Sequence, residues 1–241
     1  MNVYGQVINN SISLLFSAQR PNFLLTSNPL VCDCHMDWIT TINDNKYSEQ
    51  NKDLAFIPGL DDTICTMPTT GALVPVHSVL PGEFLCQYDA HCSAQCMCCD
   101  FYACDCRFQC PDGCSCFHDQ DWSQNIVQCS ERDHKHIPIL IPLDSTTVLL
   151  DGNSFRHLET QSFLGRDNIR ELYLNSSNIV TLGNNTFSGL TNLEVLHLED
   201  NNIAEIRGTE FTALTLIQEL YLHNNDLVYI CLLYTSDAAD E

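Results

Sequence analysis

From residue 144 onward the apolar positions recur with two periods at once. Within each segment they pair one residue apart: Val148 and Leu150, Leu172 and Leu174, Leu196 and Leu198, Leu220 and Leu222. This is strand spacing, because alternate residues of an extended chain point to one face. Between segments the spacing is 24 residues, and three independent series show it: Asn153, Ser177, Asn201 and Asn225; Leu158, Leu182 and Ile206; Phe163, Phe187 and Phe211. Amphipathic helices would need apolar residues at three and four spacing, which this pattern lacks.

The repeated unit reads L-x-x-L-x-L-x-x-N-x-L. It is intact in Leu193 to Ile203 and, with Ile in first place, in Ile217 to Leu227. Period and pattern match a leucine-rich repeat. The expected fold is a leucine-rich-repeat solenoid, with short parallel strands on the concave face, loops and 3-10 turns on the convex face, and disulfide-rich flanking caps. The leucines fill the interior of a coil, and each Phe packs against the neighbouring turn. Each Asn offers both donor and acceptor atoms to backbone groups where the chain bends inward. Ser177 makes fewer such bonds with its hydroxyl. A single turn buries too little apolar surface to offset its ordering entropy, so turns must stack and the ends need polar caps.

Composition supplies candidates for those caps. Of 15 cysteines, 13 lie between Cys32 and Cys116, Cys129 follows, and Cys231 stands apart. Such density points to an oxidising compartment. The chain carries 31 Asp and Glu against 10 Lys and Arg, a formal net charge of -21. That balance argues against nucleic acid or an anionic membrane surface as the main partner. The longest uncharged apolar stretch, Ile137 to Leu143, contains Pro138 and Pro142. It falls far short of the roughly 20 residues that span a bilayer. Met1 is followed by polar residues, with Ile12 to Phe16 as a short apolar patch, which is not a signal-peptide pattern. Disulfide chemistry without an export signal suggests a fragment.

Asn28-Pro29-Leu30-Val31-Cys32-Asp33-Cys34, followed by Trp38, Cys65 and Cys86, resembles the C-terminal flanking cap of extracellular leucine-rich repeats. Phe23, Leu25 and Asn28 fit the end of an earlier repeat. Cys110-Pro111-Asp112-Gly113-Cys114-Ser115-Cys116, with Cys129 beyond and Ile137-Pro138 before the repeats, resembles the N-terminal flanking cap. The resemblance implies disulfides Cys32–Cys65, Cys34–Cys86, Cys110–Cys116 and Cys114–Cys129; the first cap's four cysteines taken alone allow three pairings. Between the caps, Cys92, Cys96, Cys98, Cys99, Cys104 and Cys106 allow fifteen pairings, and their connectivity stays open. The order of cap, cysteine-rich junction, cap and new repeats resembles the ectodomain of the invertebrate Toll receptors. His91-Cys92, Cys98-Cys99-Asp100-Phe101 and Ala103-Cys104-Asp105-Cys106 resemble its long members.

The expected organisation is a remnant of a preceding repeat with an uncertain N-terminus over 1–28, a C-terminal-type cap over 29–90, a junction over 91–109, an N-terminal-type cap over 110–143 and 24-residue repeats over 144–230. Residues 231–241 read as a non-native tail that breaks off the repeat, leaving Leu220, Leu222 and Leu227 near an open apolar end, so poor solubility is expected. The Toll resemblance implies an extracellular recognition segment of a transmembrane signalling receptor at the plasma membrane, in innate immunity or development. It further implies cystine-knot cytokine ligands of the Spätzle type or contact with a neighbouring receptor. The family's membrane span and signalling domain are not in this sequence. A secreted or matrix leucine-rich-repeat protein for adhesion or guidance is the alternative.

Strand residues that do not point inward should line the concave face: Leu149 and Asp151, Tyr173 and Asn175, His197 and Glu199, Tyr221 and His223. Tyr173, His197, Glu199, Tyr221 and His223 are the candidate partner-binding residues, since Tyr and His give amphipathic contact area. Asn9, Asn175 and Asn184 each open an N-x-S/T sequon; Asn184, on a loop after the strand, is the safer acceptor, and a glycan at Asn175 would crowd the concave row. Zinc at Cys96, Cys98, Cys99, Cys104 and Cys106, with His91 and His118 near in sequence, is disfavoured because the spacing lacks two separated C-x2-4-C knuckles. His134-Lys135-His136 reads as a solvated cap edge. No G-x-S-x-G elbow or Gly-rich phosphate loop occurs, and oxidised cysteines are not nucleophiles. Neither enzymatic activity nor a cofactor is expected.

Overall fold

The structure is a computed structural model and describes residues 23–43, 57–92 and 107–231. The Asn9 sequon, the cysteines from Cys96 to Cys106 and nearly all of the presumed tail lie outside the described residues. Two compact units divide the chain. One runs up to Gln87 and adds Phe117–Ser123; the other comprises Tyr88–Cys116 and everything from Gln124 onward.

The first unit is built around short strands and disulfides. Strand Leu30–Val31 pairs in parallel with Ile64–Thr66, which pairs antiparallel with Leu73–Pro75. Asp33 caps the 3-10 turn Cys34–Met36 by accepting the N–H of His35, and a short helix, Trp38–Asn43, follows. Cys32, Ile39, Ile57, Leu60, Cys65, Val76, Val79 and Phe84 form its core. Cys32 is bonded to Cys65 and Cys34 to Cys86. In so small a core the crosslinks supplement apolar burial by restricting the unfolded chain.

The second unit contains the repeats. Strands Asn125–Gln128, Thr147–Leu149, Glu171–Tyr173, Val195–His197 and Glu219–Tyr221 follow one another in parallel. Their register places Gln128, Leu149, Tyr173, His197 and Tyr221 in one row. On the return side, His157–Leu158 pairs with Thr181–Leu182, and Glu205–Ile206 with Tyr229–Ile230. Val148, Leu150, Leu172, Leu174, Leu196 and Leu198 are fully buried between the two sides, as the strand pairs predict. Phe163, Phe187 and Phe211 stack, with ring centroids 6.0 and 5.5 Å apart.

A polar ladder turns each coil inward. Asn201 donates to the carbonyls of Leu174, Leu198 and Glu199 and accepts the N–H groups of Ser177 and Ile179. Asn153 does the same toward Cys129, Leu150, Asp151, Arg132 and His134. Just before each ladder residue the backbone turns left-handed, at Gly152, Ser176, Asp200 and Asn224 (φ 68°, 54°, 56° and 55°). Gly, Asn and Asp enter that region at least strain, which fits three of the four. Cys110 is bonded to Cys116 and Cys114 to Cys129 beside the first coil. Among the described residues no helix is long and apolar enough to cross a membrane.

Candidate recognition surface

Parallel pairing with a 24-residue repeat puts equivalent side chains directly above one another, and on the concave side this builds an aromatic column. The Tyr173 and His197 rings stack 4.4 Å apart at 9°, and His197 and Tyr221 stack 4.4 Å apart at 6°. His223 meets the Tyr221 ring edge-on at 6.3 Å. The row expected from sequence is therefore a continuous stack, with Tyr173, His197 and Tyr221 each half-buried and His223 exposed.

Carboxylates hold the polar edges of the column. Tyr173 donates its hydroxyl to Glu171 at 3.3 Å, Tyr221 donates to Glu219, and His197 Nδ1 lies 2.9 Å from Glu199 Oε1. Because a carboxylate only accepts, Nδ1 carries the proton in that contact. Burial and the neighbouring Glu171 carboxylate push the Tyr173 phenol above its ordinary value, and the hydrogen bond to Glu219 does the same for Tyr221. Both phenols stay neutral donors at physiological pH. Glu199 Oε2 and Asn175 Oδ1 are buried and accept no hydrogen bond. The strand stretches 147–151, 171–175, 195–199 and 219–223 hold Asp151, Glu171, Glu199 and Glu219 and no Lys or Arg. This face is rich in aromatic area and acceptors and short of cations.

Of the two described sequons, Asn184 is exposed on its loop and its Oδ1 accepts the Thr209 hydroxyl at 3.2 Å. Asn175 is half-buried on the concave side, two residues from Tyr173. Two further clusters were not legible beforehand. Tyr88 donates to Asn125 Oδ1 (2.5 Å), Asn125 donates to Asp144 (3.0 Å), and His91 lies 3.2 Å from the same carboxylate. Its members are spread over 57 residues without a period, so no sequence signal assembles them.

The other concerns histidines beside disulfides. His118 lies near Cys34 and Cys86, and His134 near Cys114 and Cys129, with the ligating atoms of each trio within 4.8 Å of one another. Both cysteine pairs are disulfides and offer no thiolate to a metal. His134, read as a solvated edge, instead places Nε2 3.7 Å from Cys114 Sγ, while Lys135 and His136 are exposed.

A coil of parallel strands, an asparagine ladder and paired cysteines in the flanking segments define a disulfide-capped leucine-rich-repeat protein of the extracellular type. The leucine-rich repeat family matches residues 146–203 and again 167–227. Drosophila melanogaster Toll-like receptor 7 is 44% identical over 154 residues, covering 63% of this chain and 10% of the receptor. Protein toll of the same species is 26% identical over 168 residues, covering 66% of this chain and 14% of that protein. The chain is similar to a segment of these Toll receptors and spans a small fraction of their length. In shape it matches the solved Toll–Spätzle complex with a TM-score of 0.55 and 20% identity, covering 87% of this chain and 26% of that chain; at that identity the likeness concerns the fold.

Proposed function

We propose that this chain is the recognition segment, on the outer side of the plasma membrane, of a Toll-type transmembrane signalling receptor in innate immunity or development. The Tyr173–His197–Tyr221 column is its protein-docking surface, with Glu199 and His223 at its margin. One observation carries this reading: the aromatic stack is half-exposed and rimmed by carboxylates, with no cation on its strands. Aromatic rings supply rigid contact area, and the acidic rim favours a partner that presents Lys or Arg. The solved relative in complex with Spätzle supports a cystine-knot cytokine as that partner. A neighbouring receptor with a basic face would satisfy the same chemistry. Asn184 is the proposed N-glycan acceptor, leaving the column clear.

The test is binding of Spätzle-type cytokines to the secreted full receptor ectodomain by surface plasmon resonance. Tyr173→Ala with Tyr221→Ala should weaken binding by about 2 kcal/mol, or roughly 30-fold, the size expected of a buried aromatic anchor. Affinity equal to that of the unaltered ectodomain, with an unchanged melting curve, would place the docking surface elsewhere.

A further inference from the structure

The cystine Cys34–Cys86 differs from its neighbour Cys32–Cys65 in three ways. Both Cys32 and Cys65 are sealed in the core, at 0% and 1% exposure, whereas Cys86 is only half-buried. A cavity of about 460 Å³ opens on the Cys34–Cys86 bond, lined also by Asp33, His35, Pro68 and Leu85. That volume is in the range of small-molecule sites. His118 lines the same cavity, and its ligating nitrogen lies within 4.8 Å of both sulfurs.

The imidazole is fixed in place. Trp122 stacks on its face with centroids 3.7 Å apart at 5°, and Nδ1 lies 2.6 Å from the Asp119 carbonyl. A carbonyl oxygen only accepts, so Nδ1 carries the proton in that contact and Nε2 is the ring nitrogen able to take up another. An imidazole beside a sulfur stabilises thiolate, and a better-stabilised leaving thiolate leaves faster.

We propose that Cys34–Cys86 is a thiol–disulfide exchange site for a low-molecular-weight thiol. The thiol enters the cavity and gives its proton to His118. Its sulfur then attacks Cys86 Sγ, on the more exposed of the two residues, forming a new disulfide as the Cys34–Cys86 bond breaks. Cys34 departs with the bonding electron pair and takes the proton from His118. The entering thiol and the broken cystine are thereby exchanged for a mixed disulfide on Cys86 and a free Cys34 thiol, with no further oxidant or reductant. The exchange undoes a closure spanning 52 residues of sequence while Cys32–Cys65 holds the unit's core together. This makes the first unit a redox-adjustable cap, independently of which ligand the concave face binds.

Glutathione is the probe. The intact protein from a secretory host is exposed to graded glutathione, free thiols are trapped by alkylation, and peptides are read by mass spectrometry. The expected result is that Cys34–Cys86 opens before Cys32–Cys65, with glutathione on Cys86 and the alkyl group on Cys34. His118→Gln should slow this step by about tenfold and remove the histidine inflection from its pH profile, which a purely structural role would leave in place. The proposal is overturned if Cys34–Cys86 opens no earlier than Cys32–Cys65, if glutathione resides on Cys34, or if His118→Gln exchanges at the original rate. Should that variant not fold, the order of opening and the site of the adduct in the unaltered protein decide.

Discussion

Asn201 Oδ1 accepts the backbone N–H of Ser177 at 3.0 Å, whereas Ser177 itself offers the N–H of Asn153 only a hydroxyl, at 3.3 Å. The two residues occupy the same place in successive coils, so the contrast isolates what an amide side chain contributes. Removing it in Asn201→Ala leaves several buried backbone groups without partners at once. Each such group costs about 1 to 3 kcal/mol, so a loss of at least about 3 kcal/mol is expected in urea denaturation. Ser177→Asn should raise stability by about 1 kcal/mol, since it restores the amide that neighbouring coils use. Equal stability of both variants with the parent would mean the ladder is not what turns the coils.

Gly189 has φ +101°, and an added Cβ would lie 2.7 Å from the Phe163 carbonyl oxygen and 2.9 Å from the Gly165 nitrogen. Both neighbours are backbone and cannot swing aside. Gly165 shares the left-handed conformation, with φ +77°, but nothing lies within 4 Å of its added Cβ. Gly165→Ala should therefore cost about 1 kcal/mol, the conformational term alone, and Gly189→Ala about 2 to 4 kcal/mol. Matched thermal melts of the two variants check the difference, and equal losses would show that the close approach does not matter.

Regularity decided what could be read beforehand. The Leu pairs, the Asn series and the Phe series obey one period, and a parallel register converts that period into vertical neighbours, so the Tyr173–His197–Tyr221 row followed from counting. Stacking at 4.4 Å and the carboxylate partners did not follow, because they depend on side-chain rotation rather than on position. The cysteine pairs were named from family resemblance; spacing alone left alternatives. The disulfide neighbours of His118 and His134 were not legible for a related reason: in aperiodic, crosslinked segments, proximity is set by the path of the chain and leaves no trace in the spacing.

Three phenols should ionise late. Burial chiefly raises Tyr88 and Tyr173 above the ordinary value of 10.0, and the Glu219 hydrogen bond raises Tyr221. A group whose folded-state pKa is raised contributes stability that is complete below its unfolded value and is lost as pH rises through the folded one. The fold should accordingly hold its phenol contribution up to about pH 10 and lose it progressively above. Ultraviolet titration of tyrosinate should show the normal tyrosines first and a delayed group that ionises together with unfolding. Replacing Tyr88 by Phe should shrink the delayed amplitude; an unchanged amplitude would contradict the assignment.

Glycan occupancy bears directly on the proposed docking surface. Asn184 is exposed on a loop of the return side, where a glycan meets solvent. Asn175 is half-buried with its Oδ1 out of reach of solvent, and it lies two residues from Tyr173 on the concave strand. A glycan there would stand beside the aromatic column and force the amide out of its packed position. Protein from a secretory host should therefore carry a glycan at Asn184 and none at Asn175, as read by glycopeptide mass spectrometry. Ser177→Asn abolishes the Asn175 sequon while leaving Asn175 itself in place, so it supplies the control: the glycoform pattern and the partner affinity should both stay as they were. Full occupancy at Asn175 in a folded, binding-competent protein would exclude the Tyr173 end of the column from the interface.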